Sequence, residues 1–184
     1  MNLTRTLDAE SEALSLTDVK NHLRITASDD DDALRLFIAA IRRKTENYLG
    51  KTLVTSTWEY KADSFSEEIE LPMSPVQSIT SVSYVDTDGI TQTFSNIQFD
   101  AKGRLKPSFN NSWPSTRDQF DAVTVTYLAG QTHAGNVDQD IKLAMLLWIG
   151  SCDISRENML IGTTVSEIPE SAKSILNMHR IWKL

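Results

Sequence analysis

The sequence predicts an α+β fold: a helical bundle formed by N- and C-terminal helix pairs, with an antiparallel β region inserted between them. Apolar residues recur at steps of three and four in residues 15–50 and again beyond residue 131. In residues 51–130 the period drops to two, and Thr, Ser, Val and aromatic residues dominate. Turn formers, among them Pro72, Pro75, Gly89, Gly103 and Pro114, separate the short runs of that stretch. Strands set between runs of helices are the pattern of α+β proteins.

The most readable element runs from Asp29 to Gly50. Leu34, Phe37, Ile38, Ile41, Tyr48 and Leu49 lie on one face of a helix, with Thr45 in the same stripe. Asp29, Asp30, Asp31 and Asp32 sit where the unpaired N–H groups and the positive end of the helix dipole favour carboxylates, and Arg42, Arg43 and Lys44 lie towards the other end. Gly50 is the expected stop, because it adopts positive φ without a steric penalty. Ahead of it, Ser15 or Thr17 caps a short helix that carries Val19, His22 and Leu23 and ends near Ile25, with His22 as a packed or rim side chain. Residues 1–14 have no sustained period and read as a loose lead-in.

After Gly50, Trp58, Tyr60 and Ala62 alternate with Glu59 and Lys61, and Ile69 and Leu71 alternate with Glu68 and Glu70, as in half-buried antiparallel strands. A hairpin is expected where Ile79–Val85 returns through Asp86-Thr87-Asp88-Gly89 to Ile90–Phe94, and Ile97 and Phe99 mark another short strand. Lys102–Asp121 reads as loop. Val123, Val125 and Tyr127 form one face of a closing strand that Gly130 ends.

Residues 131–184 hold the C-terminal helices, an arm and a tail, within a single domain overall. From Asn136 or Asp138 a third helix carries Ile141, Leu143, Ala144, Met145, Leu146, Leu147, Trp148, Ile149 and Cys152, apolar almost all round. Such a helix is either the centre of a bundle or partly covered by a neighbouring subunit. Met159–Ile168 is apolar without a helical period and reads as an extended arm. Pro169 fits the first position of a last helix bearing Ala172, Ile175, Leu176 and His179.

At 184 residues and 40% hydrophobic content the chain can build a substantial core. No apolar run approaches the length of about eighteen residues expected of a membrane span, and the polar start has no signal-peptide pattern. A soluble, cytosolic protein is expected. A net charge of −7 argues against a protein whose main work is gripping nucleic acid. The lone cysteine, Cys152, lies in an apolar helical pattern and reads as a small buried filler. No phosphate-binding loop, dinucleotide fingerprint, G-x-S-x-G or H-E-x-x-H is present. His22, His133 and His179 are far apart, and Asp29–Asp32 lacks the alternating pattern of a calcium loop. No catalytic, cofactor-binding or metal-ligating residue is assigned, and the chain is not expected to be an enzyme.

The order of the pieces adds what no single motif does. L-T-D-V-K-N-H-L-R-I, D-D-D-D-A-L running to Y-L-G, T-S-T-W-E-Y, L-P-M-S-P-V-Q-S-I-T-S-V-S-Y-V-D-T-D-G, W-P-S-T-R before V-T-V-T-Y-L-A-G, and the closing R-I-W follow one another from Leu14 to Trp182. Together they resemble the head-tail connector (head-completion adaptor) proteins of long-tailed bacteriophages and prophages. The resemblance implies a structural protein of the virion neck, present in the host bacterial cytoplasm during assembly. It further implies a ring of about twelve copies between the portal and the stopper or tail-completion proteins, with DNA passing through the channel without specific binding. The best-known adaptors are mainly helical, so the long β region is a departure. Within such a ring, Trp148 and the arm residues Met159, Leu160, Ile161 and Val165 would form subunit contacts. Arg180, Ile181, Trp182, Lys183 and Leu184 would bind the portal, or Trp182 would fold back as a plug on the bundle. The rival readings are a host-encoded α+β ligand-binding or enzymatic domain, which needs convergent polar groups, and a DNA-packaging factor, which needs a basic stripe.

Overall fold

The computed structural model describes residues 2–154 and 168–181, and the chain divides into two compact units, Met1–Glu10 with Val54–Thr132, and Ser11–Leu53 with His133–Leu184. The class is mixed α+β with antiparallel sheets, and its β share is larger than the sequence pattern suggests.

The β unit contains β1 (Asn2–Leu7), β2 (Ser56–Ala62), β3 (Ile69–Glu70), β4 (Val76–Val85), β5 (Thr91–Thr93), β6 (Ile97–Phe99), β7 (Arg104–Pro107) and β8 (Val123–Ala129). They form one sheet in the order β1-β2-β8-β4-β5 and another in the order β3-β7-β6. The period-two pattern explains why β8 is central. Its Val123, Val125, Tyr127 and Ala129 are buried, and the residues between them are half-buried. Tyr127 lies between Trp58 and Ile79 in register, and Val125 between Tyr60 and Val82. Ile69, Leu71 and Leu105, from the region of the smaller sheet, belong to the same apolar cluster. The Tyr127 hydroxyl donates to the Pro72 carbonyl at 2.7 Å, and burial, followed by the nearby Tyr60, pushes its pKa above the ordinary phenol range.

Two expectations are corrected here. The lead-in is not loose throughout: Asn2–Leu7 is β1, paired antiparallel from Asn2↔Lys61 to Leu7↔Thr57 with an irregularity between Arg5 and Leu7. The guanidinium of Arg5 lies 4.5 Å from the centre of the Trp58 ring, so this strand is held by an amphipathic cation where an apolar residue would have given a readable signal. The Lys102–Asp121 stretch likewise contains β7, which buries only Leu105 fully. Gly103 makes the preceding turn with φ 94°, and a Cβ there would collide with the Leu71 carbonyl oxygen.

The helical unit contains α1 (Leu16–Leu23), α2 (Asp31–Leu49), a 3₁₀ turn (Ala134–Asn136), α3 (Gln139–Ile154) and α4 (Glu170–Asn177). Ser15 caps α1 in a reciprocal capping box with Asp18. Hydrogen bonds from the Ser15 side chain and backbone lead the causes that hold the Asp18 carboxyl below its usual pKa. Asp30 stands at the N-cap of α2 without a side-chain cap bond, while Asp31 pairs with Lys20 at 2.7 Å. Gly50 ends α2 in the left-handed conformation, φ 68°. Pro169 occupies the N-cap of α4, one position ahead of the expected one, because its extended ψ of 138° places it outside the helix.

Leu34, Ile38, Ile41, Thr45 and Leu49 of α2 are buried as the stripe predicts, and Phe37 and Tyr48 are half-buried. α3 packs on α1, α2 and α4. Its apolar surface is therefore largely covered within its own chain: Ile141, Ala144, Met145, Trp148, Ile149 and Cys152 are buried, whereas Leu143 is exposed. Among the described residues no helix is long and apolar enough to cross a membrane.

Candidate functional site

A buried ion-pair network lies in the interior of the helical unit. Arg42 reads in the sequence as a helix-end charge, but it is 1% exposed. Its Nε donates to Glu12 Oε2 at 2.7 Å, its Nη2 to Glu12 Oε1 at 3.3 Å, and its Nη1 to Glu46 Oε2 at 3.1 Å. The other Glu46 oxygen accepts from the Leu53 backbone N–H at 2.9 Å. A helical i, i+4 pair thus fastens both the segment before α1 and the chain leaving α2. The arrangement spends its hydrogen bonds on protein groups, which makes it a structural brace and leaves no acid–base pair aimed at a substrate.

Residues expected to act on partners fall in different places. Trp148, expected at a subunit contact, is 3% exposed within its own chain, with Lys44 Nζ 5.6 Å from its ring centre. Its burial within its own chain leaves little of the ring to present to a neighbouring subunit. Met159, Leu160, Ile161 and Val165 lie outside the described residues, as do Trp182, Lys183 and Leu184. The root of the tail is defined. Arg180 places its guanidinium 4.7 Å from the centre of the Tyr48 ring, and the Ile181 N–H donates to the Leu49 carbonyl at 2.9 Å, satisfying one of the open carbonyls at the end of α2. Ile181 remains 39% exposed.

Among the described residues the histidines lie in three different places. His22 is exposed beside Gly150, His133 precedes the 3₁₀ turn, and His179 stands 3.5 Å from Asp138 and 3.7 Å from Asp140. Among the described residues no group of three or more His, Cys, Asp or Glu could hold a metal ion.

The β unit instead shows bare aromatic side chains that sequence reading passed over. Phe109 is 88% and Phe120 87% exposed, both in the connection between β7 and β8. Trp113, between them, stacks on Phe65 at 4.4 Å and donates its indole N–H to the Glu67 carbonyl. The signal available in the sequence is the isolation of each Phe: Ser108-Phe109-Asn110 and Gln119-Phe120-Asp121 offer no apolar neighbour with which to form a buried face.

A family model described as "Head completion protein" matches residues 12–182. The chain belongs to the head completion protein family. The resemblance read from the order of motifs is thereby shown, with β1 lying ahead of the matched residues. Its fold is shared with a chain from "Neck of empty GTA particle computed with C6 symmetry", at a TM-score of 0.79 and 17% identity over 100% of this chain and 97% of the other. A chain of "Virion of native gene transfer agent (GTA) particle" is similar at 0.78 and 16% identity, and one of "Neck of native GTA particle computed with C12 symmetry" at 0.69 and 17%, with the same coverage. The long β region is therefore found in neck-particle chains of this fold. No curated protein matches.

Proposed function

We propose that this head completion protein is a structural component of a virion neck, an adaptor that joins the portal of a phage-type head to stopper and tail proteins as a ring around the DNA channel. The observation that carries the reading is family membership across residues 12–182, joined to a fold shared over the whole chain with neck-particle chains. The interior brace around Arg42 and the exposed aromatic side chains of the β unit suit a protein that is gripped by others and does no chemistry of its own. The helices, read as a bundle of N- and C-terminal pairs, would form the ring-building part, with Met159, Leu160, Ile161 and Val165 packing on the next subunit.

Portal docking is assigned to Arg180–Leu184. Its support is the anchoring of Ile181 on the end of α2 and the enrichment of Trp and Arg at binding hot spots. Deleting residues 182–184 tests it while leaving the Ile181 bond to Leu49 in place. The shortened chain is expected to keep its melting temperature and to lose co-purification with portal rings. A loss of stability with retained portal binding would make Trp182 a core residue and refute the assignment.

A further inference from the structure

The far end of the larger sheet carries two exposed apolar side chains, Phe120 and Ile90. The chain enters the β unit at Val54 and leaves it beside Gln131, which are bridged to each other. From there β2 runs to Ala62, paired with Val123 at the start of β8, which is in turn paired with Tyr84 of β4. The opposite end of the sheet is thus built from the start of β1, the β4–β5 turn, the residues just after β2, and those just before β8. Phe120, 87% exposed, and Ile90, 58% exposed, both belong to it.

These side chains are presented by braced backbone. The Val85 N–H donates to the Ala122 carbonyl at 2.8 Å, and the Arg117 N–H to the Val85 carbonyl at 3.0 Å. The Asp121 N–H, next to Phe120, donates to Asp63 Oδ1 at 2.9 Å. In the β4–β5 turn, Asp86 Oδ1 accepts from the backbone N–H groups of Asp88 and Ile90. Hydrogen bonds from the Gln92 side chain and the Ile90 backbone lead the causes that hold the Asp86 carboxyl below its usual range, so it stays charged. The Arg117 guanidinium lies against Gly89, where an added Cβ would come within 2.6 Å of Nη1, and so ties the turn to the segment bearing Phe120. Pre-organised apolar side chains lower the ordering cost of association.

The charge of this end names the occupant. Asp63, Asp88, Asp118 and Asp121 are exposed there and Asp86 is half-buried, against Arg117, while the neighbouring Lys61 is already paired with Glu59 at 3.0 Å. An acidic rim around two apolar knobs repels nucleic acid and anionic lipid and matches a protein surface that sets Lys and Arg around an apolar recess. We propose that the distal end of the β unit, centred on Phe120 and Ile90, docks into a basic-rimmed apolar recess on a different protein of the same particle. This rests on the neck reading and adds a contact separate from the portal-docking tail.

The test replaces Phe120 with the photo-cross-linker p-benzoylphenylalanine in chains incorporated into particles, with mass spectrometry of the products. The expected product joins position 120 to a different protein, within a segment rich in Lys or Arg, and its yield falls about tenfold or more when Asp88→Lys and Asp118→Lys are added. Both are exposed positions, so an unchanged melting curve is expected for the charge variant. Particles that contain the chain but give no cross-link, or one to another copy of this chain, to DNA, or to an acidic segment, overturn this inference and leave the neck reading standing. Particles that lack the chain overturn both.

Discussion

Replacing Arg42 with Met tests what the buried brace contributes. The substitution keeps a long apolar stem in a site that is 1% exposed but removes the guanidinium from between Glu12 and Glu46. Glu46 is 0% exposed, so its carboxylate would stay desolvated without the cation facing it, a situation that costs about 3–5 kcal/mol. Glu12 is 31% exposed at its side chain and can recover hydration, so Glu12→Gln should cost only about 0.5–1.5 kcal/mol. A double replacement, Arg42→Met with Glu46→Met, removes both charges but orphans the buried Leu53 N–H, which predicts a loss of about 1–3 kcal/mol, smaller than that of Arg42→Met alone. Urea melts followed by the helical far-UV signal report on the unit concerned, and a constant m-value would confine the effect to stability. If Arg42→Met costs less than about 1 kcal/mol, or the double variant is the less stable of the two, a desolvated unpaired carboxylate is not what the arginine prevents.

Other substitutions probe separate parts of the argument. Ile41→Ala, at a 2% exposed position of α2, should leave a cavity and cost about 2–5 kcal/mol in the same melts. Ser15→Ala should remove about 1 kcal/mol of capping and let the Asp18 carboxyl return towards 3.8 in an NMR titration. Because the folded-state value is depressed, the stability tied to Asp18 is present above the ordinary carboxylate range and is lost as pH falls through the folded value, so the variant should show a weaker decline on that acid limb. Binding to duplex DNA should be undetectable near physiological salt for a chain of net charge −7, and a sub-micromolar affinity with a steep salt slope would restore the DNA-packaging reading.

What the sequence shows plainly is whatever repeats along it. The stripe of α2, the alternation in β2 and β8, and the Gly50 stop were legible because periodicity and positive φ leave residue-type signatures. β1 and β7 were not, since each contributes few inward apolar positions and draws its place from pairing with strands distant in the chain. The Arg42–Glu46 pair was visible in principle at i, i+4, but nothing local marks Glu12, thirty residues earlier, as the second carboxylate. Burial of Arg42 is a tertiary fact for that reason. The head-completion family was readable from the order of several weak motifs, while Phe109 and Phe120 passed unnoticed because an exposed aromatic has no period at all.

Phe109 is an exposed ring carried on a hydrogen-bonded turn. Burying such a ring is worth about 1.5–3 kcal/mol, a gain that remains available only while the ring stays exposed. Its turn is held by the Ser108 N–H to the Asn96 carbonyl and the Asn111 N–H to the Ser108 carbonyl, with Asn110 at φ 60°. Asn111 adds two more bonds, accepting from the Asn96 side chain and donating to the Phe109 carbonyl, each at 3.1 Å. Asn111→Ala removes those two bonds and leaves the backbone pair and the apolar surface unchanged. Amide exchange across residues 108–111 should then accelerate while global stability moves by no more than about 0.5 kcal/mol, as for other exposed positions. Unchanged exchange would mean that the stacked Trp113, and not Asn111, fixes the turn.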